Sequence, residues 1–216
     1  MTAVDVLFII DSTGSMKNVI KAAHDKAHDI GIDLRNKFSD ASFKFGCVCY
    51  RDKFRDPNDE NEIFDFDEDD ENLALFLDDV EAKGGGGDGP EDWNSALDDA
   101  FELTWRDGKK VIIWLADASA HGRQFGGREN APEEEAKLVS HTKKLATDNI
   151  YFTGISIKRF AKKTFDEMKK IYDENGGKKF NIEEFNPRND SIDEMLTITT
   201  TTTVSDIINI SKSYSC

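Results

Sequence analysis

The sequence is short of several things, and each shortage closes off a class of protein. No stretch of its 216 residues approaches the roughly 18 consecutive apolar residues of a membrane-spanning helix. Ahead of Val4 there is neither a basic region nor a small-residue cleavage site, so no secretory signal is expected. Cysteine is scarce. Cys47 and Cys49 stand two apart in a strand-like run, and Cys216 is the last residue. Residues two apart on a strand face the same way but are poorly placed to bond each other, so this pair reads as buried structural thiols. An odd count with no clear pairing points to a reducing compartment, and a cytoplasmic location is expected. Positive charge is also short: 28 Lys and Arg stand against 43 Asp and Glu, a net charge of −15. That balance argues against nucleic acid or an anionic membrane as the main partner. Finally, neither a G-x-S-x-G elbow nor a G-x-x-x-x-G-K-[ST] phosphate loop occurs.

What is present is enough for a globular core. Hydrophobic residues make up 38%, including 15 Phe and 3 Trp, and the length suits one α/β domain over residues 1–216. Trp93, Trp105 and Trp114 fall within helical or strand patterns and are expected in that core. The acids are unevenly placed. Residues 56–71 hold ten of them and no base. This reads as a solvated acidic loop broken by a short strand around Ile63–Phe66. The D-x-[DN]-x-[DN]-G register of a calcium loop is absent there.

Two kinds of periodicity alternate along the chain. Val4–Ile10 is an apolar, β-branched run ending at Asp11, as a strand buried on both faces reads. Apolar residues from Met16 to Phe38 recur at helical spacing. Phe43–Tyr50 is a second strand, and Asn72–Ala82 a helix. Gly84–Gly87 interrupts any regular element. A helix is expected over Pro90–Leu103, with Pro90 in its first turn. Val111–Leu115 is a further buried strand, followed by Ala116-Asp117 and a loop over residues 119–131. Pro132 opens a helix to about Thr147. Ile150–Ile157 is a central strand, Lys162–Asn175 a helix stopped by Gly176-Gly177, and Lys179–Ile182 a last strand. Ser191–Ser211 is the final helix, weakened by the β-branched run Thr199–Thr203. Alternation of this kind gives a doubly wound, mostly parallel sheet with helices on both faces. Ligands of such sheets lie at the carboxyl ends of the strands.

The chemistry concentrates there. An apolar strand delivers Asp11 to the carboxyl edge, and Thr13 and Ser15 add two hydroxyls on the turn into the next helix. One carboxylate with two hydroxyls is a hard-oxygen set, suited to Mg²⁺, Mn²⁺ or Ca²⁺ rather than zinc. The same hydroxyls also suit a helix N-terminus, capping its free N–H groups. Two further acidic loops shift that balance. Gly84–Asp92 carries Asp88, Glu91 and Asp92, and Asp117 ends another buried strand. A buried strand that ends in Asp has an awkward charge unless something pairs with it, and a divalent cation would serve Asp11 and Asp117 together.

The D-x-T-x-S of Asp11, Thr13 and Ser15 resembles the metal-ion-dependent adhesion site of von Willebrand factor type A domains. Element order and length agree with that family over roughly residues 3–212. Tyr50–Asp52 (YRD), Gly84–Asp92 (GGGGDGPED) and Ala116–Gly122 (ADASAHG) are similar, more closely, to the subgroup found beside α-type protein kinases. The resemblance implies a Rossmann-like sandwich holding Mg²⁺ on its top face, with Asp11, Thr13, Ser15 and Asp117 as metal-site residues. The family's usual second-loop ligand is a threonine. Here that loop offers Asp88, favoured because it follows the glycines, and Glu91 after it. The family's T-D-G after the fourth strand is A-D-A here. Three carboxylates on a doubly charged ion leave a net charge of about −1, which implies tighter intrinsic metal binding and less need of an acidic residue from a partner. Asp52 is either a residue that orients a metal-bound water or an exposed strand end. His121 and Arg123 are rim contacts for a partner or ordinary polar loop residues.

The expected function is a metal-dependent protein-binding module without catalysis, its protein ligand seated at the metal-site face. A phosphoryl-transfer hydrolase using Asp11 as nucleophile with Mg²⁺ is the enzymatic alternative. It requires a second acid two residues on, where Thr13 stands. A phosphoacceptor receiver would need an acidic pair on another strand, which is missing. An accessory domain of an α-kinase is a further reading, since no kinase catalytic domain fits in this length.

Overall fold

The computed structural model describes residues 1–85, 87, 89–187 and 190–213, with side chains through 208. Its centre is one six-stranded sheet made of β1 (Thr2–Asp11), β2 (Ala41–Tyr50), β3 (Glu62–Asp67), β4 (Lys109–Ala116), β5 (Ile150–Ile157) and β6 (Phe180–Phe185). The spatial order is β3-β2-β1-β4-β5-β6, and every pairing is parallel except that of the edge strand β3 with β2. The helices are α1 (Lys17–Lys37), α2 (Asp70–Asp79), α3 (Trp93–Glu102), α4 (Pro132–Thr147), α5 (Lys162–Glu174) and α6 (Ile192–Ser213). This is the doubly wound sheet that the alternation of periods predicts.

Alternation within each strand sorts the two faces. Val4, Val6, Phe8 and Ile10 of β1 join Phe43 and Phe45 of β2 and Val111 and Ile113 of β4 in a core covered by α1, α2 and α6. Leu7, Ile9, Val48, Ile112 and Trp114 point the other way, into a core covered by α3, α4 and α5. Each fully buried side chain of this kind contributes about 1.5–3 kcal/mol, which is why the central strands read as unbroken apolar runs. Trp93 and Trp114 stack at 4.4 Å in the second core, and Trp105 is partly buried at its edge. Cys47 and Cys49 are buried free thiols on the first face, their sulfurs 3.7 Å apart.

The chain leaves β1 toward β2 on one side and later lays β4 against β1 on the other. The strand order therefore switches between β1 and β4. The crevice such a switch creates opens at their carboxyl ends, where Asp11 and Asp117 stand.

Element ends move where side chains compete for the backbone. The helix expected from Pro90 begins at Trp93, because Asp92 caps it by accepting from Ser95 N at 2.9 Å. Pro90 is left in the loop, and Glu91 N–H donates to Ser119 O at 2.9 Å, tying that loop to the one after β4. The helix expected over Asn72–Ala82 is Asp70–Asp79, capped by Asp69, whose carboxylate accepts from Glu71 N. The last strand runs to Phe185 rather than Ile182. The threonine run does not break α6. Thr199, Thr200 and Thr203 are buried, and the Thr203 hydroxyl meets that of Thr153 at 3.0 Å.

At the opposite end of the sheet, Asp5 is 1% exposed yet ionically paired. Arg106 donates to it from Nε and from the backbone, both at 2.7 Å. The same guanidinium reaches Ser42 Oγ, Ser42 O and Val4 O, which clamps β1 to β2. Removing one partner of such a pair strands the other charge, so Arg106→Ala should cost about 3–5 kcal/mol of unfolding free energy in urea titrations. The double variant Asp5→Asn/Arg106→Ala should lose less than Arg106→Ala alone.

Candidate metal centre

Asp11 ends β1 in register with Tyr50 of β2 and is fully buried. Its Oδ1 accepts from Thr13 N at 2.9 Å and from Thr13 Oγ1 at 2.7 Å. Its Oδ2 is buried with no hydrogen-bond partner. The Thr13 hydroxyl lies 3.4 Å from that of Ser15, which is exposed. Neither hydroxyl caps a helix. The 3₁₀ turn Gly14–Met16 and α1 both begin without a side-chain capping bond. The capping alternative for Thr13 and Ser15 is therefore not what their side chains do. Burial, and then the charge of Asp117, push the Asp11 carboxyl up to about 7, against the hydrogen bonds from Thr13.

Asp117 follows β4 and lines a cleft of about 530 Å³ together with Thr13, Ser15, Glu91, Arg128 and Lys158. Glu91 is 4% exposed. A side chain at Gly85 would sit 3.2 Å from Glu91 Oε1 and 3.3 Å from Thr13, on a backbone at φ +106. Only glycine allows the second loop to close so tightly over the first. Asp88, the favoured second-loop ligand, lies outside the described residues. Among the described residues no three Asp, Glu, His or Cys side chains form a metal-holding cluster. The set brought together is instead two carboxylates and two hydroxyls, with a lone buried oxygen on Asp11. Hard oxygens around an unmatched carboxylate fit Mg²⁺, and Asp11, Thr13, Ser15 and Asp117 are the residues that would hold it.

Beside this set is a group that the sequence does not announce. Asp52 is fully buried, which removes the exposed-strand-end reading. His121 is buried too, with Nε2 2.8 Å from Asp52 Oδ1 and Nδ1 2.8 Å from Glu129 Oε1. Burial would lower the imidazole, but the hydrogen bonds and charges of Asp52 and Glu129 outweigh it and raise its pKa above 6.5. Glu129 falls to about 2 against its own partial burial, because Gly122 N–H and His121 both stabilise its charge. His121 thus binds the end of β2 to the loop after β4, and it is no ordinary polar loop residue. Arg123, by contrast, is exposed. Arg51 is 2% exposed and reaches Glu60 O at 3.0 Å, Glu81 O at 2.8 Å and the Glu62 carboxylate. The sequence marks Arg51 only as part of the Tyr50–Asp52 run, and nothing in its pattern distinguishes Glu129, Arg128 or Lys158 as neighbours of the site.

These shifts set a pH dependence for the metal-free protein. A folded carboxyl at about 7 against 3.8 unfolded means that the folded state holds the extra proton between those values. Stability then falls as pH rises across that window, and the full penalty stands above it. In chelator, Asp11→Asn should exceed the wild type by on the order of 3 kcal/mol at pH 8, with the difference gone by pH 4. His121 acts in the same sense. Its contribution is complete below 6.5 and is lost as pH passes its raised folded pKa, so its ring resonances should titrate with a midpoint above 6.5.

Comparison with known proteins gives this geometry a place. The curated Alpha-protein kinase vwkA of Dictyostelium discoideum is 33% identical over 123 residues, which are 56% of this chain and 19% of that protein. The chain thus spans under a fifth of that relative's length. Among solved structures, the pilus adhesin SpaC from Lactobacillus rhamnosus GG superposes with a TM-score of 0.63 at 12% identity, over 96% of this chain and 30% of that one. The PilB minor pilin from Streptococcus sanguinis gives 0.63 at 11%, over 96% and 62%. At such identities they show the fold alone. The sequence itself matches the von Willebrand factor A domain family over residues 5–184, and with the sheet order and the Asp11 turn in place, the chain belongs to that family.

Proposed function

We propose that this domain is a non-catalytic, metal-dependent protein-binding module that holds Mg²⁺ at the carboxyl end of its sheet. The observation that carries the reading is the Asp11 carboxylate: one oxygen held by Thr13, the other buried and unmatched, beside a cleft lined by Ser15 and Asp117. A divalent ion bound there would supply positive charge toward a partner, with Asp11 and Asp117 as the carboxylates that would hold it and the hydroxyls of Thr13 and Ser15 as the remaining hard oxygens. Mn²⁺ and Ca²⁺ have the same ligand preference. Asp88 is the proposed second-loop ligand, with Glu91 behind it. A nucleophilic role for Asp11 is disfavoured, because the hydroxyl of Thr13 occupies the place of a second acid and donates to the carboxylate instead.

The similarity to an α-protein kinase supports a second, compatible reading, in which this domain serves beside a kinase of that type in the cytoplasm. Among the described residues no helix is long and apolar enough to cross a membrane.

Calorimetric titration tests the metal. Mg²⁺ should give a saturable heat with the wild type and none with Asp11→Ala, while Asp88→Thr should bind roughly tenfold more weakly. A wild type that binds none of Mg²⁺, Mn²⁺ or Ca²⁺ would sink the reading. An Asp88→Thr variant of unchanged affinity would remove Asp88 alone.

A further inference from the structure

A sheet of this order has two open edges, and they differ. Along β3 the ladder is broken by a register shift opposite Phe45 and Cys47, and Asp65 is occupied by the N–H and hydroxyl of Thr104. Irregularity of that kind blunts an edge against further pairing. The edge strand β6 is regular over Phe180–Phe185. Phe152 N–H donates to Lys179 O at 3.0 Å and Lys158 N–H to Phe185 O at 2.8 Å. In a parallel ladder this commits the odd-numbered backbone of β6 to β5. The N–H and C=O groups of Phe180, Ile182 and Glu184 therefore point outward, with no strand beyond them.

Beside that edge runs a groove of about 450 Å³ between β6 and α6. Asn181 and Glu183 form its strand wall. Glu194, Met195, Ile198 and Thr202, one face of α6 at spacings of three and four, form the other. Ile198 is 64% exposed. The groove carries charge of one sign. Glu183, Glu184, Asp190 and Glu194 line it, and among the described residues no Lys, Arg or His does. Lys158 and Lys178 flank the ends of the strand without lining the groove, and Arg188 lies outside the described residues. Arg159 and Lys162 are taken by Glu184, and Lys179 by Asp206. Glu183 and Glu194 are left without a cationic partner among the described residues.

We propose that this edge takes an extended, basic segment of a partner protein as a seventh strand. Its backbone would pair with the outward groups of Ile182 and Glu184, its bases would meet Glu183 and Glu194, and an apolar side chain would cover Ile198. Backbone pairing supplies affinity in such strand addition, and the side chains along the groove supply selection. A second copy of this chain is a poor occupant, because β6 on β6 sets Glu183 and Glu184 against their own kind. The surface lies apart from the Asp11 turn and needs no metal.

The probe is a fluorescein-labelled lysine-rich peptide with a central valine, followed by anisotropy. A glutamate-rich counterpart and a lysine peptide methylated at alternate backbone nitrogens serve as comparisons. The wild type should bind the lysine peptide, and backbone methylation should weaken binding tenfold or more. Glu183→Gln/Glu194→Gln and Ile198→Ala should each weaken it on the order of tenfold, and added salt should shrink the effect of the double variant alone. Glu68→Gln/Glu71→Gln, the same change of charge in the acid-rich segment, should leave affinity as it was. Amide exchange at Ile182 and Glu184 should slow when the peptide binds. Equal affinity for the methylated peptide, or an equal loss in the Glu68/Glu71 variant, would overturn the proposal by reducing the binding to diffuse charge. Concentration-dependent dimers that Glu183→Gln/Glu194→Gln strengthens would give the edge to a second copy instead. Binding lost in chelator would move the peptide to the metal face and overturn the edge. A protein that saturates with Mg²⁺ yet ignores the peptide refutes the edge alone, and peptide binding where Mg²⁺ gives no heat refutes the metal alone.

Discussion

Everything at the carboxyl face depends on one carboxylate placed where water does not reach. Asp11 is buried because β1 is central, and β1 is central because both its faces are apolar. A lone ionised group in that position is costly, and the amide and hydroxyl of Thr13 and the backbone of Asp117 offset part of that cost. The surrounding loops look like answers to the remainder. Asp117 adds like charge nearby, offset in part by its own backbone N–H.

How far this was readable beforehand follows the range of the interactions involved. The sheet, its mostly parallel sense and the position of Asp11 depend on local periodicity, so they stood in the sequence plainly. So did the burial of Trp93 and Trp114 and the unbonded state of Cys47 and Cys49. Hydrophobic spacing starts α3 at Pro90 rather than at Trp93, because it does not record the side-chain competition by which Asp92 captures Ser95 N. The His121 cluster was invisible for a different reason. Its three members stand at 52, 121 and 129, on two loops, and only the closed fold brings them to 2.8 Å. The same holds for Arg128 and Lys158, which meet in one cleft from the far ends of β4 and β5.

The charge pattern now has a spatial sense that composition hides. A count of −15 describes an acidic protein, while the cleft at the carboxyl ends of the strands holds both signs, Glu91 and Asp117 beside Arg128 and Lys158.

Arg51 adds a mechanical consequence. Its buried guanidinium holds the carbonyls of Glu60 and Glu81 and the carboxylate of Glu62 at once. The acid-rich segment and the connection from α2 toward the glycines are therefore fastened to one rivet at the end of β2. The backbone at Glu81 thus takes its anchorage from the same guanidinium that holds a segment which sequence reading would discard as solvated filler, so order at the carboxyl end of the sheet originates partly in its acid-rich neighbour.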